Sequence, residues 1–204
     1  MLGVIVFGWP AGNVFILFWV ENAIIGLIGV VRIVTARGTG GKRPNLTVNG
    51  RPVHPGPVGL ALFFCLHYGL FCLVHAVFTG FVAYSLGVEA TFWFLGLPIV
   101  LIMIRYAVEL STVWFGAGQR DVVSPAQAMT QPYPRIIVLH VAVLIAFAVT
   151  LRQQSGGSVD IAPSLQPITD WLGALAGQDV WLVLLLIGLQ TIADVWTTRR
   201  ATRV

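Results

Sequence analysis

The sequence predicts an all-α integral membrane protein, a helical bundle of about five transmembrane helices preceded by a short N-terminal apolar segment. The composition supports this prediction, because 57% of the residues are hydrophobic and only 10% are charged. Soluble domains average about 25% charged residues, and a chain with so few could not cover its surface in water. Apolar stretches of about 20 residues, the length that crosses the hydrocarbon core, also recur along the chain. We therefore expect the lipid bilayer as its partner.

The predicted spans follow one another in a single membrane domain, 1–204. Residues 1–8 are apolar but too short to cross a bilayer, and Pro10 and Gly12 then interrupt the pattern. The predicted spans are 14–34, 57–84, 91–116, 134–151 and 180–196. The connections 35–55 and 119–133 are polar and indicate loops. The longer connection 152–178 contains a stretch, 164–175, that indicates a short helix at the membrane interface.

The basic residues of the loops and ends are distributed very unequally between the two sides of the membrane. If the loop 35–55 is cytoplasmic, the outer side holds only Arg152, and the inner side holds Arg32, Arg37, Lys42, Arg43, Arg51, Arg120, Arg135, Arg199, Arg200 and Arg203. Because basic loops stay on the cytoplasmic side, we expect a cell-membrane protein with its N-terminus outside and its C-terminus inside. The same distribution argues against a nucleic-acid partner, although the net charge is +4.

The predicted spans contain polar side chains, which are costly in hydrocarbon unless they find partners. At about 1.5 Å per helical residue, a group of them falls at similar depths in the inner half of the bilayer: His67, Glu109, His140 and Asp194. Two imidazoles and two carboxylates suit a divalent metal such as zinc, or iron. The sequence therefore predicts these side chains as metal ligands. Asp194 is the shallowest, and could instead accept the ring N–H of a histidine ligand.

Helix packing and ion pairing are alternative roles for the polar residues of the spans. A lone histidine in a membrane helix often hydrogen-bonds a neighbouring helix, which would account for His67 or for His75, a residue placed in an outer layer with Glu21. Arg105 and Glu109 are four residues apart and could neutralise each other along one helix. Glu21, with Asn22 beside it, is either protonated or paired across the bundle, for which Arg105 is available.

Cysteine and tryptophan residues have mainly structural interpretations. Cys65 and Cys72 lie about 10 Å apart along one predicted helix, which is too far for a disulfide, so we expect them to be packing residues. Most tryptophans fall near helix ends and indicate interfacial anchors: Trp9, Trp93, Trp114, Trp171, Trp181 and Trp196. Trp19 lies close to Glu21 and could line a site.

Several short stretches share a pattern with a known group of proteins. They are FWVEN at 18–22, HYGLF at 67–71 with His75, PYPRI at 132–136 with His140, and Asp194. These stretches resemble an uncharacterised family of bacterial multi-pass membrane proteins, classed as a domain of unknown function. The resemblance implies the membrane fold and this choice of polar residues, and it implies no activity. The chain departs from the family's pattern in its shortened first apolar segment, 1–8, and in Glu109, where the family favours a histidine.

Three functions are compatible with these observations. The first is an intramembrane metal-dependent hydrolase, in which a metal-bound water attacks an ester or amide of a lipid or small-molecule substrate. The second is a haem protein for electron transfer, with His67 and His140 as axial ligands. The third is a transporter, channel or structural subunit, in which the buried polar groups relay protons or hold the bundle together.

Overall fold

The fold is known from a computed structural model, which describes residues 10–39, 46–48, 51–53 and 55–156, together with Gly188 and Thr191. In this part of the chain, four helical segments are long and apolar enough to cross a membrane: Ala11–Thr35, Pro57–Leu86, Phe92–Gly116 and Pro125–Arg152. They overlap the first four predicted spans, and the all-α membrane fold is confirmed. The N-terminal segment 1–8 and the stretch 164–175 lie outside the described residues, as does the fifth predicted span 180–196 apart from Gly188 and Thr191.

The helices are numbered in chain order. They are α1 (Ala11–Thr35), α2 (Pro57–Leu86), α3 (Leu97–Glu109), α4 (Gln119–Val122), α5 (Pro125–Thr130) and α6 (Tyr133–Gln154). The third membrane segment is not a uniform α-helix, because π-helical turns, Phe92–Gly96 and Leu110–Gly116, flank α3. π-helical turns are uncommon and indicate local departures from ideal α-helical geometry.

The connection 119–133, predicted to be a loop, contains the two short helices α4 and α5. The start of α5 has a physical explanation in its sequence. The Ser124 hydroxyl accepts a hydrogen bond from the Gln127 backbone N–H, and the Gln127 side chain accepts one from the Ser124 N–H. Pro125 occupies the first helical turn, where its missing N–H costs nothing. The spacing Ser-Pro-x-Gln is the signal of this helix in the sequence.

The loop 35–55 also contains regular structure. Strands β1 (Leu46–Val48) and β2 (Arg51–Val53) pair antiparallel, with Leu46 opposite Val53 and Val48 opposite Arg51. The two residues between them in the sequence are Asn49-Gly50, the dipeptide preferred in two-residue hairpin connections. This short hairpin does not change the all-α fold class.

The contacts divide the chain into two compact units. Among the described residues, the first unit consists of 10–20, Val74–Pro98 and 134–156, and the second of Glu21–Leu73 and Ile99–Tyr133. The first unit has a hydrophobic core to which α1, α2 and α6 all contribute. Its buried members are Phe15, Val82, Leu139, Ala142, Val143, Ala146 and Val149. On α6 these residues follow the helical period, and the small Ala142 and Ala146 allow close helix packing.

The start of α1 is fixed tightly within the first unit. A Cβ atom on Gly12 would lie 2.3 Å from the carbonyl oxygen of Gly87 and 2.4 Å from that of Ala83, so only glycine permits this approach. The adjacent Asn13 is fully buried. Its amide donates to the Glu89 carbonyl and accepts from the Glu89 N–H, both at 3.0 Å. Asn13 thus satisfies the backbone of the turn that follows α2.

Candidate functional site

Two histidines from different helices meet inside the first unit. His75 of α2 is 1% exposed, and its Nε2 atom lies 2.5 Å from Nδ1 of the half-buried His140 of α6. The ring centroids are 4.7 Å apart and the ring planes are inclined at 62°. The two nitrogen atoms are within hydrogen-bonding distance, and the tautomers decide which ring donates.

The helices that carry the pair are held together by an apolar contact on the same faces. Phe78 follows His75 by about one turn of α2 and packs edge-on against Phe147 of α6, with ring centroids 4.9 Å apart. Val82, one turn further along α2, belongs to the buried core together with Val143 of α6. The facing stripes of α2 and α6 therefore place the two imidazoles opposite each other and exclude water from one side of the pair.

A buried hydroxyl lies next to His75 on α2. Thr79 is four residues later, which puts it on the same helix face, and it is 3% exposed. Its hydroxyl makes no hydrogen bond within the described part of the chain. Most buried polar atoms have a partner, so this hydroxyl is available to a water or a ligand beside the histidine pair.

The second unit contains a separate polar group around Glu21 of α1. The hydroxyl of Tyr106 donates a 2.7 Å hydrogen bond to Glu21 Oε1. Arg105 lies 3.7 Å from the same oxygen and 5.2 Å from the Tyr106 ring. Glu21 is therefore paired across the helices with Arg105, one of the two alternatives that the sequence left open. Asn22 is also buried, and its carbonyl oxygen accepts a hydrogen bond from Tyr68 at 3.0 Å.

Glu109 does not pair with Arg105 along α3. It accepts instead a 2.8 Å hydrogen bond from Arg32 of α1. The guanidinium of Arg32 also lies 5.5 Å from the ring of Trp114. Trp114 is fully buried and donates to the Thr35 hydroxyl at 2.9 Å. Trp114 therefore packs against α1, and its interfacial position stays a prediction.

His67 has an aromatic environment within the second unit. It is exposed and stacks on Phe63, with centroids 5.7 Å apart and planes within 4°. Tyr133 lies on another side, with its ring centroid 5.9 Å away. Neither the His67 ring nitrogens nor the Tyr133 hydroxyl hydrogen-bonds another described residue. His67 therefore belongs to an aromatic cluster rather than to a polar one.

The predicted metal ligands have different partners in the structure. His67 contacts Phe63 and Tyr133, Glu109 contacts Arg32, and His140 contacts His75. Asp194 lies outside the described residues. Within the described ranges, no group of three or more His, Cys, Asp or Glu side chains is arranged to hold a metal ion.

Depths counted along the sequence do not bring His75 and His140 into one layer, and helix length explains why. The 30 residues of α2 make a helix about 45 Å long, roughly 15 Å more than the hydrocarbon core. The depth of a residue in the membrane, counted from an end of α2, can therefore be wrong by as much as this extra length. The sequence of α6 does not separate its buried face from its exposed one either, because the residues around His140 are apolar on every side.

Comparison with known proteins identifies the family and nothing closer. No curated protein and no solved structure matches the chain. The model of a family of unknown function, DUF6498, matches residues 1–204. The chain belongs to this family of unknown function, and its described helices are those of a membrane protein.

Proposed function

We propose that the protein transfers protons in the membrane and that the His75–His140 pair is the transfer site. The observation that supports this function is the 2.5 Å contact between His75 Nε2 and His140 Nδ1, on two helices suited to cross a membrane. Imidazole changes protonation state near neutral pH. It can accept a proton at one ring nitrogen and release one from the other, so two rings in contact can pass a proton between helices.

Stability alone is a weak reason for two histidines at this position. A hydrogen bond between membrane helices contributes about 0.6 kcal/mol on average and at most about 1.7 kcal/mol. A buried polar group that loses its partner costs several kcal/mol. Phe78 and Val82 show that apolar residues pack well on the same stripe of α2. Proton transfer explains why imidazoles occupy these two positions. Leucine or phenylalanine would hold the helices together there without the cost of a polar group that can lose its partner.

The Thr79 hydroxyl extends the proposed proton path beyond the two histidines. A hydroxyl can donate and accept hydrogen bonds at once, and the buried Thr79 hydroxyl has no partner in the described part of the chain. A water held between Thr79 and the histidines would extend the path by one step. In this path His75 and His140 transfer the proton, and Thr79 holds the water.

The test is proton flux in liposomes that contain the purified full-length protein and a pH-sensitive dye. A potassium gradient with valinomycin supplies the driving potential. The wild type should acidify or alkalinise the lumen faster than protein-free liposomes, and His75→Phe and His140→Phe should each reduce the flux at least tenfold. His67→Phe is the matched control and should leave the flux unchanged, because the His67 ring lies in the aromatic cluster.

Two outcomes would count against proton transfer. Wild-type flux equal to that of empty liposomes would contradict it directly, as would flux that survives both His75→Phe and His140→Phe. The same preparations should be analysed for zinc, iron and the haem Soret band. A stoichiometric metal that is lost in both variants would instead favour the metal-dependent hydrolase, with His75 and His140 as ligands and further ligands from outside the described residues.

A further inference from the structure

Arg105 is unusual among the charged residues of the described spans. It lies near the middle of the segment Phe92–Gly116, and 65% of its side chain is exposed. An arginine at the centre of a membrane helix is costly in insertion experiments. Its ion pair with Glu21 is long, at 3.7 Å, and the same oxygen already accepts the 2.7 Å hydrogen bond from Tyr106. The guanidinium therefore retains donors for another partner.

The surface around Arg105 forms a continuous stripe on α3. Leu101, Ile104 and Val108 are 56%, 53% and 52% exposed, and with Arg105 they have the i, i+3, i+4, i+7 spacing of one helix face. Tyr106, the buried residue of α3, is rotated away from this stripe by the helical period. We call the stripe Leu101, Ile104, Arg105 and Val108 the α3 face. The α3 face is apolar except for the guanidinium of Arg105.

The segment Phe92–Gly116, which contains α3, is also the least buried of the described spans. Only 6% of its most apolar stretch of 18 residues is buried, compared with 28% to 39% in the other three spans. Lipid tails could cover the apolar members of the α3 face, but they offer no hydrogen-bond acceptor to a guanidinium at this depth. An occupant that presents an anion at this depth is therefore favoured over lipid, because Glu21 contacts the guanidinium only at 3.7 Å.

Glu109 provides such an anion at the edge of the same face, because Arg32 contacts only its Oε1 atom and leaves Oε2 for a second donor. Its side chain is 41% exposed, and it lies about 6 Å along the helix from Arg105. Two copies in one membrane have the same orientation, so a two-fold axis along the membrane normal brings their α3 helices together side by side. We propose that the α3 face is the interface with a second copy of this chain, in which Arg105 pairs with Glu109 of the partner subunit, and reciprocally.

Disulfide cross-linking in membranes tests this interface. In a background with Cys65→Ala and Cys72→Ala, a single cysteine is placed at Leu101 or at Val108 and the membranes are oxidised. Both variants should give a band of twice the monomer mass, and the band should persist when the protein is diluted with lipid. Arg105→Gln added to Leu101→Cys should reduce the yield severalfold, and Arg105→Lys should reduce it less.

The controls use equally exposed positions elsewhere. Met103 is 55% exposed but lies on the other side of α3, and Leu66 is 75% exposed on α2. Met103→Cys and Leu66→Cys should both cross-link poorly. Yields at Met103 or Leu66 equal to those at Leu101 and Val108 would mean random collision, and the proposal would then be wrong. The absence of a dimer band at both Leu101 and Val108 would overturn it as well, because the face would then not meet a second copy.

Discussion

Arg32 and Glu109 join α1 to α3 through a 2.8 Å hydrogen bond between oppositely charged groups. Arg105, which is four residues from Glu109 on the same helix, pairs with Glu21 of α1 instead. The two charges of α3 are therefore both used for contacts with α1, and neither neutralises the other. The closer of the two, Arg32–Glu109, should contribute more to the attachment of α3 than a surface ion pair would, because Arg32 is largely buried.

Loss of the Glu109 carboxylate should destabilise the protein measurably. In Glu109→Gln, the largely buried Arg32 keeps its charge and loses its ionised partner, so we expect a loss of about 1.5–3 kcal/mol. Thermal unfolding in detergent would measure it. Asp121→Asn is the matched control, because Asp121 and Arg37 are 3.7 Å apart and both exposed, and it should cost less than about 1 kcal/mol. Equal losses of stability in the two variants would show that the Arg32–Glu109 pair contributes no more than an exposed ion pair.

The Glu21–Arg105 pair should show coupling in a double-mutant cycle. Glu21→Gln and Arg105→Gln each remove one charge, and the combined variant removes both. Because Arg105 is mostly exposed and 3.7 Å away, we expect a coupling of only about 0.5–1 kcal/mol. Tyr106→Phe should cost about 1 kcal/mol by itself, since its hydrogen bond to Glu21 is buried and short. Strict additivity of the two charge changes in thermal melts would disprove the pairing.

Gly12 should be among the least replaceable residues of the first unit. In Gly12→Ala, the new methyl group would overlap two carbonyl oxygens of the backbone around the end of α2, and α1 would have to shift. Overpacking of this kind costs about 1–3 kcal/mol or more. Gly80→Ala is the control, because a Cβ there meets nothing within 4 Å. That change should stabilise α2 by about 0.5–1 kcal/mol. A Gly12→Ala protein that melts no lower than the wild type would refute the close approach.

The orientation inferred from the basic residues is open to a direct test. A fluorescent-protein fusion after Val204 should be fluorescent, and an alkaline phosphatase fusion at the same place should be inactive, because the C-terminus is expected in the cytoplasm. Fusions within the connection 152–178, where Arg152 is the only basic residue, should show the opposite pattern. Active phosphatase after Val204 would reverse the topology.

The sequence is sufficient to predict the helices but not their partners. Each of the four described spans is a long apolar run, which is the signal that predicts it. The runs are apolar all round, however, so periodicity does not tell which face is inside. His67 and His75 illustrate the difficulty: both lie among apolar residues of α2, yet one is exposed and the other is buried. Nothing in their immediate neighbours separates the two environments.

The partners of the charged residues are hard to predict for a different reason. Arg105 and Glu109 have the spacing of a pair within one helix, but in the structure each of them contacts a partner on α1, Glu21 and Arg32 respectively. A rule based on local spacing cannot foresee a partner about 80 residues away. The pairing of Glu21 with Arg105 is nevertheless predictable, because a buried carboxylate requires a cation and the spans contain few.

The contact between His75 and His140 joins Nε2 of one ring to Nδ1 of the other, so the two rings are not equivalent. A proton on His75 Nε2 requires a bare Nδ1 on His140. When that proton crosses to His140, His75 takes up a proton at Nδ1 and His140 releases one from Nε2, which leaves the reverse pair of tautomers. The tautomer of one ring therefore dictates that of its neighbour, and the pair has two states. In one state His75 donates the hydrogen bond to His140, and in the other His140 donates it to His75. Selectively labelled ¹⁵N-histidine would reveal them as paired resonances, and a ring rotation would be needed to reset the direction after each transfer.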